Sequence, residues 1–181
     1  MRIRREDCIC IAIDIQDKLV AVMHEPQELV SESVKLLKGM RVLGIPISVT
    51  EQYPKGLGRT IEPIMELLGK RQKFIEKRSF SIGDESEVQQ ILHETQKKTV
   101  ILLGIEAHIC VLQTVLDLQH DGYRCVIPVD ALSSRKQRDM ELALARMQNA
   151  GAILTTVESI LFELLESSDR PEFREISKLI K

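Results

Sequence analysis

A strand pattern and a helical pattern adjoin in the stretch Val100-Ile101-Leu102-Leu103-Gly104-Ile105-Glu106-Ala107-His108-Ile109-Cys110-Val111. It begins with branched apolar residues, a pattern typical of a strand buried on both faces of a parallel sheet. The run breaks at Gly104, and apolar residues then recur at helical spacing from Cys110 onward. The stretch therefore predicts a buried strand that leads into a helix with a cysteine in its first turn.

Outward from this stretch, apolar strand patterns alternate with amphipathic helical patterns. The predicted strands are residues 9–15, 47–50, 73–77, 100–103, 125–129 and 152–154. The predicted helices are residues 26–43, 61–68, 85–95, 110–121, 138–149, 157–165 and 173–180. Such alternation with short connections predicts an α/β fold, in which helices cover both faces of a parallel sheet. We expect one domain over residues 1–181, without internal repeats.

Three local patterns add detail to this prediction. Asp84 precedes a helical segment and is expected to cap it. The run Thr155-Thr156-Val157-Glu158 fits a capping box at the start of the next-to-last helix. Residues 51–58 contain two glycines and a proline, and we expect a turn-rich loop there that could serve as a lid.

Bulk composition excludes several classes of protein. The net charge of −2 provides no electrostatic footprint for nucleic acid, and no run approaches the ~18 apolar residues of a membrane span. The short apolar run after the basic N-terminus does not resemble a secretory signal. Aromatic residues make up only 3% of the chain and Trp is absent, so the core must be aliphatic.

The four cysteines are not spaced as a zinc site or as a CxxC redox pair. Cys8 and Cys10 alternate along a strand and should point to one face, as small apolar fillers. Free thiols of this kind are typical of a reducing cytoplasm, where we expect the protein to reside.

Asp14, Lys77 and Cys110 each lie at or just beyond the end of a predicted strand, where α/β sheets carry their ligands. The helix N-terminus should favour the thiolate form of Cys110, and Asp14 could take the thiol proton. Lys77 could stabilise both anions, and backbone N–H groups near Cys110 could form an oxyanion hole. The plainer alternatives are a packing cysteine, a helix-capping aspartate and a solvated lysine.

Together these residues resemble the isochorismatase-like cysteine hydrolase family. The resemblance covers almost the whole chain, and its strength lies in the order and spacing of five pieces: Ile13-Asp14-Ile15-Gln16, Glu76-Lys77-Arg78-Ser79-Phe80-Ser81, the segment from Gly104 to Val111, Val129-Asp130-Ala131-Leu132-Ser133-Ser134-Arg135, and Thr155-Thr156-Val157-Glu158-Ser159. It implies a Rossmann-like three-layer α/β/α sandwich with a six-stranded parallel sheet.

The resemblance also implies an Asp–Lys–Cys triad. Asp14 would be the general base, Lys77 the electrostatic partner and Cys110 the nucleophile. A non-proline cis peptide would fall at Ile105–Glu106, and the N–H groups of Glu106 and Cys110 would form the oxyanion hole. Candidates for lining the pocket are Gln16, Glu51, Gln52, Tyr53, Phe80 and His108.

The chain departs from the nicotinamidases of this family at the segment after the second strand. Those enzymes carry an Asp-x-His cluster there that holds a metal, whereas residues 50–58 contain no histidine. The four histidines lie elsewhere, at His24, His93, His108 and His120. We therefore expect no metal, no cofactor and no typical nicotinamidase activity.

Two residues between the strand and Cys110 allow more than one interpretation. His108 could replace Asp14 as the base, but it lies only two residues from Cys110, and side chains so spaced tend to diverge at a helix start. It could instead line the pocket or bond a neighbouring backbone carbonyl. The side chain of Glu106 could reach the pocket or bond within its own turn.

Two functions from different classes remain. The first is a cofactor-independent hydrolase that acts on a small amide or related acyl compound through a thioester. We expect this enzyme to be a homo-oligomer without nucleic-acid or membrane partners. The second is a catalytically idle family member that acts as a protein-interaction module. The presence of Asp14, Lys77 and Cys110 together favours the enzyme.

Overall fold

Six parallel strands form the centre of the structure, a computed structural model that describes residues 2–181. The strands are β1 (Cys8–Ile13), β2 (Ile47–Gln52), β3 (Phe74–Lys77), β4 (Thr99–Gly104), β5 (Arg124–Pro128) and β6 (Ile153–Thr155). Their spatial order is β3-β2-β1-β4-β5-β6, and each neighbouring pair is parallel. Every strand pattern identified in the sequence thus corresponds to a strand, with boundaries shifted by at most a few residues.

Helices cover both faces of the sheet. They are α1 (Asp17–Val20), α2 (Pro26–Val42), α3 (Pro54–Leu57), α4 (Glu62–Leu68), α5 (Ser86–Thr95), α6 (Leu112–His120), α7 (Gln137–Asn149), α8 (Val157–Leu165) and α9 (Phe173–Ile180). Helices α2, α4, α8 and α9 pack on one face, and α5, α6 and α7 pack on the other. The predicted three-layer α/β/α sandwich is confirmed. No helix within residues 2–181 is both long and apolar enough to cross a bilayer.

The core is aliphatic, as the composition predicts. Among the described residues, the fully buried apolar side chains are those of Ile, Leu, Val, Met, Ala and Cys. Cys8 and Cys10 face one helix layer, whereas Ile9 and Ile11 face the other. This alternation is the two-residue period of a strand that is buried on both sides.

The strand order reverses between β1 and β4, which lie side by side at the centre of the sheet. Gly104, the last residue of β4, has φ 122°, and a Cβ there would lie 2.0 Å from the carbonyl oxygen of Ile13. Only glycine permits this approach, which lets the N–H of Ile105 donate to that same oxygen at 3.0 Å. The chain that leaves β4 is therefore held against the end of β1, at the point where the strand order reverses.

Several local predictions were wrong. Residues 51–58 do not form a simple loop, because β3 pairs with β2 as far as Gln52 and a short helix, α3, follows. Strand β1 ends at Ile13 rather than at residue 15, because Asp14 adopts a left-handed conformation with φ 53°.

The helix caps also differ from the prediction. Glu85, not Asp84, occupies the N-cap position of α5, and it makes no side-chain cap bond. Helix α8 is capped by Thr156, whose hydroxyl accepts a hydrogen bond from the N–H of Ser159, so the capping-box register is one residue later than expected.

Candidate active site

Three separate elements bring Asp14, Lys77 and Cys110 together at the carboxyl edge of the sheet. Asp14 follows β1, Lys77 ends β3, and Cys110 lies in a π-helical turn (Ala107–Val111) that opens α6. The Lys77 Nζ lies 2.7 Å from the Asp14 Oδ2, and both side chains are fully buried. The ammonium group therefore reaches across the end of β2, which separates β3 from β1 in the sheet.

The thiol of Cys110 lies beside both charged groups, and the residue is 7% exposed. Burial raises the pKa of this thiol to about 12; the neighbouring Asp14 carboxylate also raises it, while Lys77 lowers it. Burial and the Asp14 carboxylate thus oppose the thiolate form that the helix N-terminus is expected to favour. Desolvation outweighs the favourable charges, so the resting group is a thiol with a carboxylate next to it.

Asp14 is held by its neighbour on β2. Its Oδ1 accepts a hydrogen bond from the Thr50 hydroxyl at 2.8 Å, and its N–H donates to the Thr50 carbonyl at 3.2 Å. Burial raises the pKa of Asp14 above its usual range, although Lys77 and the hydrogen bonds from Thr50 and Cys110 oppose that rise. A carboxylate of raised pKa is a stronger base than an exposed one, which suits it to accept a proton.

The Lys77 ammonium is surrounded by oxygen atoms. Besides Asp14, it contacts the Gln52 Oε1 at 2.6 Å and the carbonyls of Ser79 at 3.1 Å and Phe80 at 3.2 Å. A buried ammonium needs such partners, because each N–H that lacks an acceptor raises the free-energy cost of burying its charge. The alternative of a solvated strand-end lysine is thereby excluded for Lys77.

The turn after Lys77 is itself anchored by Glu85. One carboxylate oxygen accepts hydrogen bonds from the N–H groups of Arg78 and Ser79, both at 3.2 Å, and from the Ser79 hydroxyl. Burial raises the pKa of Glu85, but these hydrogen bonds outweigh it and lower the pKa overall. Neither Thr50 nor Glu85 stands out in the sequence, because Thr50 acts on a residue beside the neighbouring strand and Glu85 acts on a turn six to seven residues before it.

The turn before Cys110 presents backbone donors. The Ile105–Glu106 peptide bond is cis. The N–H of Ala107 donates to the carbonyl of Ser133 at 2.8 Å. Within residues 2–181, the N–H groups of Glu106 and Cys110 donate to no backbone carbonyl outside this turn.

Glu106 and His108 both bond to the segment after β5. The Glu106 carboxylate accepts from the N–H and the Nε of Arg135, both at 3.1 Å, so it bonds neither within its own turn nor toward Cys110. The His108 Nδ1 lies 2.9 Å from the Ser134 hydroxyl, and its Nε2 lies 4.0 Å from an Asp139 oxygen. His108 is thus bonded to a side-chain hydroxyl, not to the backbone carbonyl that we considered.

Of the six candidate lining residues, Gln52 and His108 are partly exposed, and the other four divide into two groups. Gln16 and Glu51 are fully buried and hold backbone: Glu51 accepts from the N–H and hydroxyl of Thr60 at 2.8 and 2.9 Å, on the opposite face of β2 from Gln52. Tyr53 and Phe80 are 40% and 52% exposed, and these aromatic side chains follow the ends of β2 and β3. Of these four residues, only Tyr53 and Phe80 are exposed, and the Tyr53 ring packs against the Arg78 guanidinium at 4.0 Å.

No group of three or more His, Cys, Asp or Glu side chains in the described part of the chain is arranged to hold a metal ion. Two buried carboxylates that follow β1 or lie near the end of β2 have protein partners: Asp14 pairs with Lys77, and Glu51 lies 3.2 Å from the Arg59 Nε.

Comparisons with known proteins agree on one family. Residues 8–159 match the model of the isochorismatase domain. The mouse protein isochorismatase domain-containing protein 2A is 40% identical over 99% of this chain and 85% of its own length. The MAR1 ribonuclease of Caenorhabditis elegans is 39% identical, with a TM-score of 0.94 over 99% of this chain and 92% of that one. The YcaC gene product of Escherichia coli, an octameric hydrolase of unknown specificity, shares the fold at 20% identity, with a TM-score of 0.92 over 99% of this chain and 89% of that one.

Proposed function

The chain belongs to the isochorismatase family, and on that premise we propose that it is a hydrolase that uses Cys110 as a nucleophile on small amides or related acyl compounds. One observation carries the proposal: a thiol lies beside a buried Asp14–Lys77 pair, with the two charged atoms 2.7 Å apart. A nucleophile, an acceptor for its proton and a cation are the parts that acyl transfer requires.

The raised pKa of Cys110 sets how the first step would proceed. Because the resting group is a thiol, its proton passes to the Asp14 carboxylate as the sulfur attacks the substrate carbonyl carbon. A C–S bond forms and the carbonyl electrons move to oxygen. The N–H groups of Glu106 and Cys110 are the proposed donors to that oxyanion.

Collapse of the tetrahedral intermediate completes acyl transfer. The C–N bond breaks, the leaving amine takes the proton from Asp14, and a thioester to Cys110 remains. Water then attacks the thioester and gives its proton to Asp14, and the sulfur leaves with that proton to restore the thiol. Throughout, the Lys77 ammonium would offset the negative charge that moves between the carboxylate and the sulfur.

A screen of small amides tests this proposal, with ammonia release and intact mass as the readouts. Cys110→Ala should abolish ammonia release and the acyl adduct while the protein stays folded. Cys125→Ala is the matched control, because Cys125 is fully buried in the same core layer and should leave turnover unchanged. Near-parental turnover in Cys110→Ala would refute covalent catalysis, and no turnover on any amide would favour the protein-interaction module.

Ribonuclease activity is a second candidate, since the similar protein from Caenorhabditis elegans is a ribonuclease. In this chain the observation that bears on it is the Asp14–Lys77 pair, which could serve as base and cation at a phosphodiester. The net charge of −2 argues against tight RNA binding. RNA cleavage that is lost in Asp14→Asn but retained in Cys110→Ala would assign the site to this reaction instead.

A further inference from the structure

The side chain of Gln16 makes hydrogen bonds to the backbone at the end of β2, beyond the point where β1 stops. Strand β1 stops at Ile13, whereas β2 continues to Gln52. The Gln16 Oε1 accepts from the N–H of Gln52 at 2.7 Å, and its Nε2 donates to the Gln52 carbonyl at 3.1 Å and to the Gly58 carbonyl at 2.6 Å. Gln16 is fully buried, so this amide holds the backbone of Gln52 in a fixed position.

The side chain of Gln52 is oriented in turn. Its Nε2 donates to the carbonyl of Arg78 at 2.9 Å, and its Oε1 lies 2.6 Å from the Lys77 Nζ. The Arg78 carbonyl can only accept, which requires the amide nitrogen on that side. The amide oxygen must then face the ammonium.

The Lys77 side chain has four rotatable bonds and needs such fixing to keep its charge in one place. Its carbonyl contacts, Ser79 and Phe80, come from the same turn as Lys77 itself, at 3.1 and 3.2 Å. The shorter contact, to Gln52, comes from the neighbouring strand. Gln52 therefore ties the ammonium to the part of the sheet that also carries Thr50, the partner of Asp14.

We propose that Gln52 is a positioning residue that sets where the Lys77 ammonium lies relative to Asp14 and Cys110, and that Gln16 fixes Gln52 for this role. The inference rests on the proposed function, because it concerns the reactivity of Cys110. A neutral amide suits the task, since it supplies an oxygen to the ammonium without adding a second anion beside the thiol. A carboxylate at the same place would compete with Asp14 for Lys77 and could not donate to Arg78.

Alkylation of Cys110 by iodoacetamide, followed by mass spectrometry between about pH 6 and pH 10, measures this reactivity directly. The variants are Gln52→Met, which keeps the size but removes both amide contacts, and Gln52→Glu, which adds a negative charge. The matched control is Gln72→Met, because the Gln72 amide donates to the carbonyl of Lys73 before β3. Thermal unfolding shows whether each variant remains folded.

We expect Gln52→Met to slow alkylation about threefold to tenfold at a given pH, because a less fixed Lys77 lowers the thiol pKa less, and each unit of pKa is tenfold in thiolate. Gln52→Glu should slow the alkylation of Cys110 at least as much as Gln52→Met does. Gln16→Met should also slow it, whereas Gln72→Met should leave the rate unchanged. A merely structural role would change thermal unfolding without slowing the alkylation of Cys110.

Two outcomes separate this inference from the proposed function. If Cys110 of the parent protein is not alkylated faster than Cys8, Cys10 and Cys125, the proposed nucleophile fails. If the parent shows that selectivity and Gln52→Met keeps the parental rate and pH profile, only the positioning role of Gln52 is overturned.

Discussion

Replacing Lys77 with Met tests the buried ion pair most directly, because Met has a similar length and no charge. The Asp14 carboxylate would then remain fully buried, with the Thr50 hydroxyl and the Cys110 thiol beside it and no counter-charge. An unpaired charge is unfavourable in the protein interior, so the variant must either take up a proton at Asp14 or unfold more readily.

The expected loss follows from the burial of both partners. Breaking a buried ion pair costs about 3–5 kcal/mol, which for a chain of 181 residues corresponds to a fall in Tm of roughly 6–20 °C. Burial already raises the pKa of Asp14 against the opposing effect of Lys77, so removal of Lys77 moves that pKa further up. A carboxyl group with a raised pKa in the folded state destabilises the protein above the unfolded pKa of about 3.9. The loss of unfolding free energy in Lys77→Met should therefore be small near pH 4. It should grow as pH rises toward the pKa of Asp14 in the folded variant.

Urea unfolding at about pH 4 and about pH 8 measures the deficit in free energy. The double variant Lys77→Met/Asp14→Asn should recover much of the loss at the higher pH, because it removes both charges. Lys73→Met is the control: its side chain is 74% exposed and pairs with Glu87 at 2.9 Å, so its loss should stay below about 1 kcal/mol. A Lys77→Met deficit as small as that of Lys73→Met at both pH values would refute the reasoning.

Three further substitutions test the supports of the site. Gly104→Ala should destabilise the protein by more than Gly122→Ala in urea unfolding, because both glycines have positive φ but only Gly104 would place a Cβ 2.0 Å from a backbone oxygen; equal losses would show that the strand contact relaxes freely. Thr50→Val keeps the volume but removes the hydroxyl bond to Asp14, so we expect a loss of about 1–3 kcal/mol by the same method, and a neutral result would contradict the hydrogen bond at 2.8 Å. Glu85→Gln should lower Tm near neutral pH and not at acid pH: hydrogen bonds lower the pKa of Glu85, so its contribution is present above the unfolded pKa and is lost as pH falls through the folded pKa. A Tm difference for Glu85→Gln that persists unchanged at acid pH would contradict that assignment.

The site was partly predictable from the sequence. A carboxylate at the end of an apolar run, a lysine at a strand end and a cysteine in the first turn of a helix are visible without a structure, and these patterns pointed to Asp14, Lys77 and Cys110. Their supports were not visible in the same way. Thr50 is an ordinary strand residue until the register places it beside Asp14, and Glu85 reaches back to the turn at residues 78–79.

The pKa of Cys110 is a property that local sequence does not determine. A cysteine at a helix start next to a lysine suggested a thiolate, but the pKa of Cys110 depends on how much water surrounds the sulfur and on the nearby carboxylate. The local sequence shows neither the hydration of the sulfur nor its distance from the carboxylate.

The alternation of strands and helices, the aliphatic core and the residue types at the strand ends can be predicted from the sequence, because they depend on local periodicity and on which side chains avoid water. The place of β3 in the sheet cannot be predicted in this way: β3 lies two strands from β1, and this position lets Lys77 reach Asp14 across Gln52. Distances between side chains that are far apart in the chain arise from the strand order and from the direction in which each chain segment leaves the sheet. Hydrogen-bond partners and pKa values depend on those distances, and so they exist only once the chain has folded.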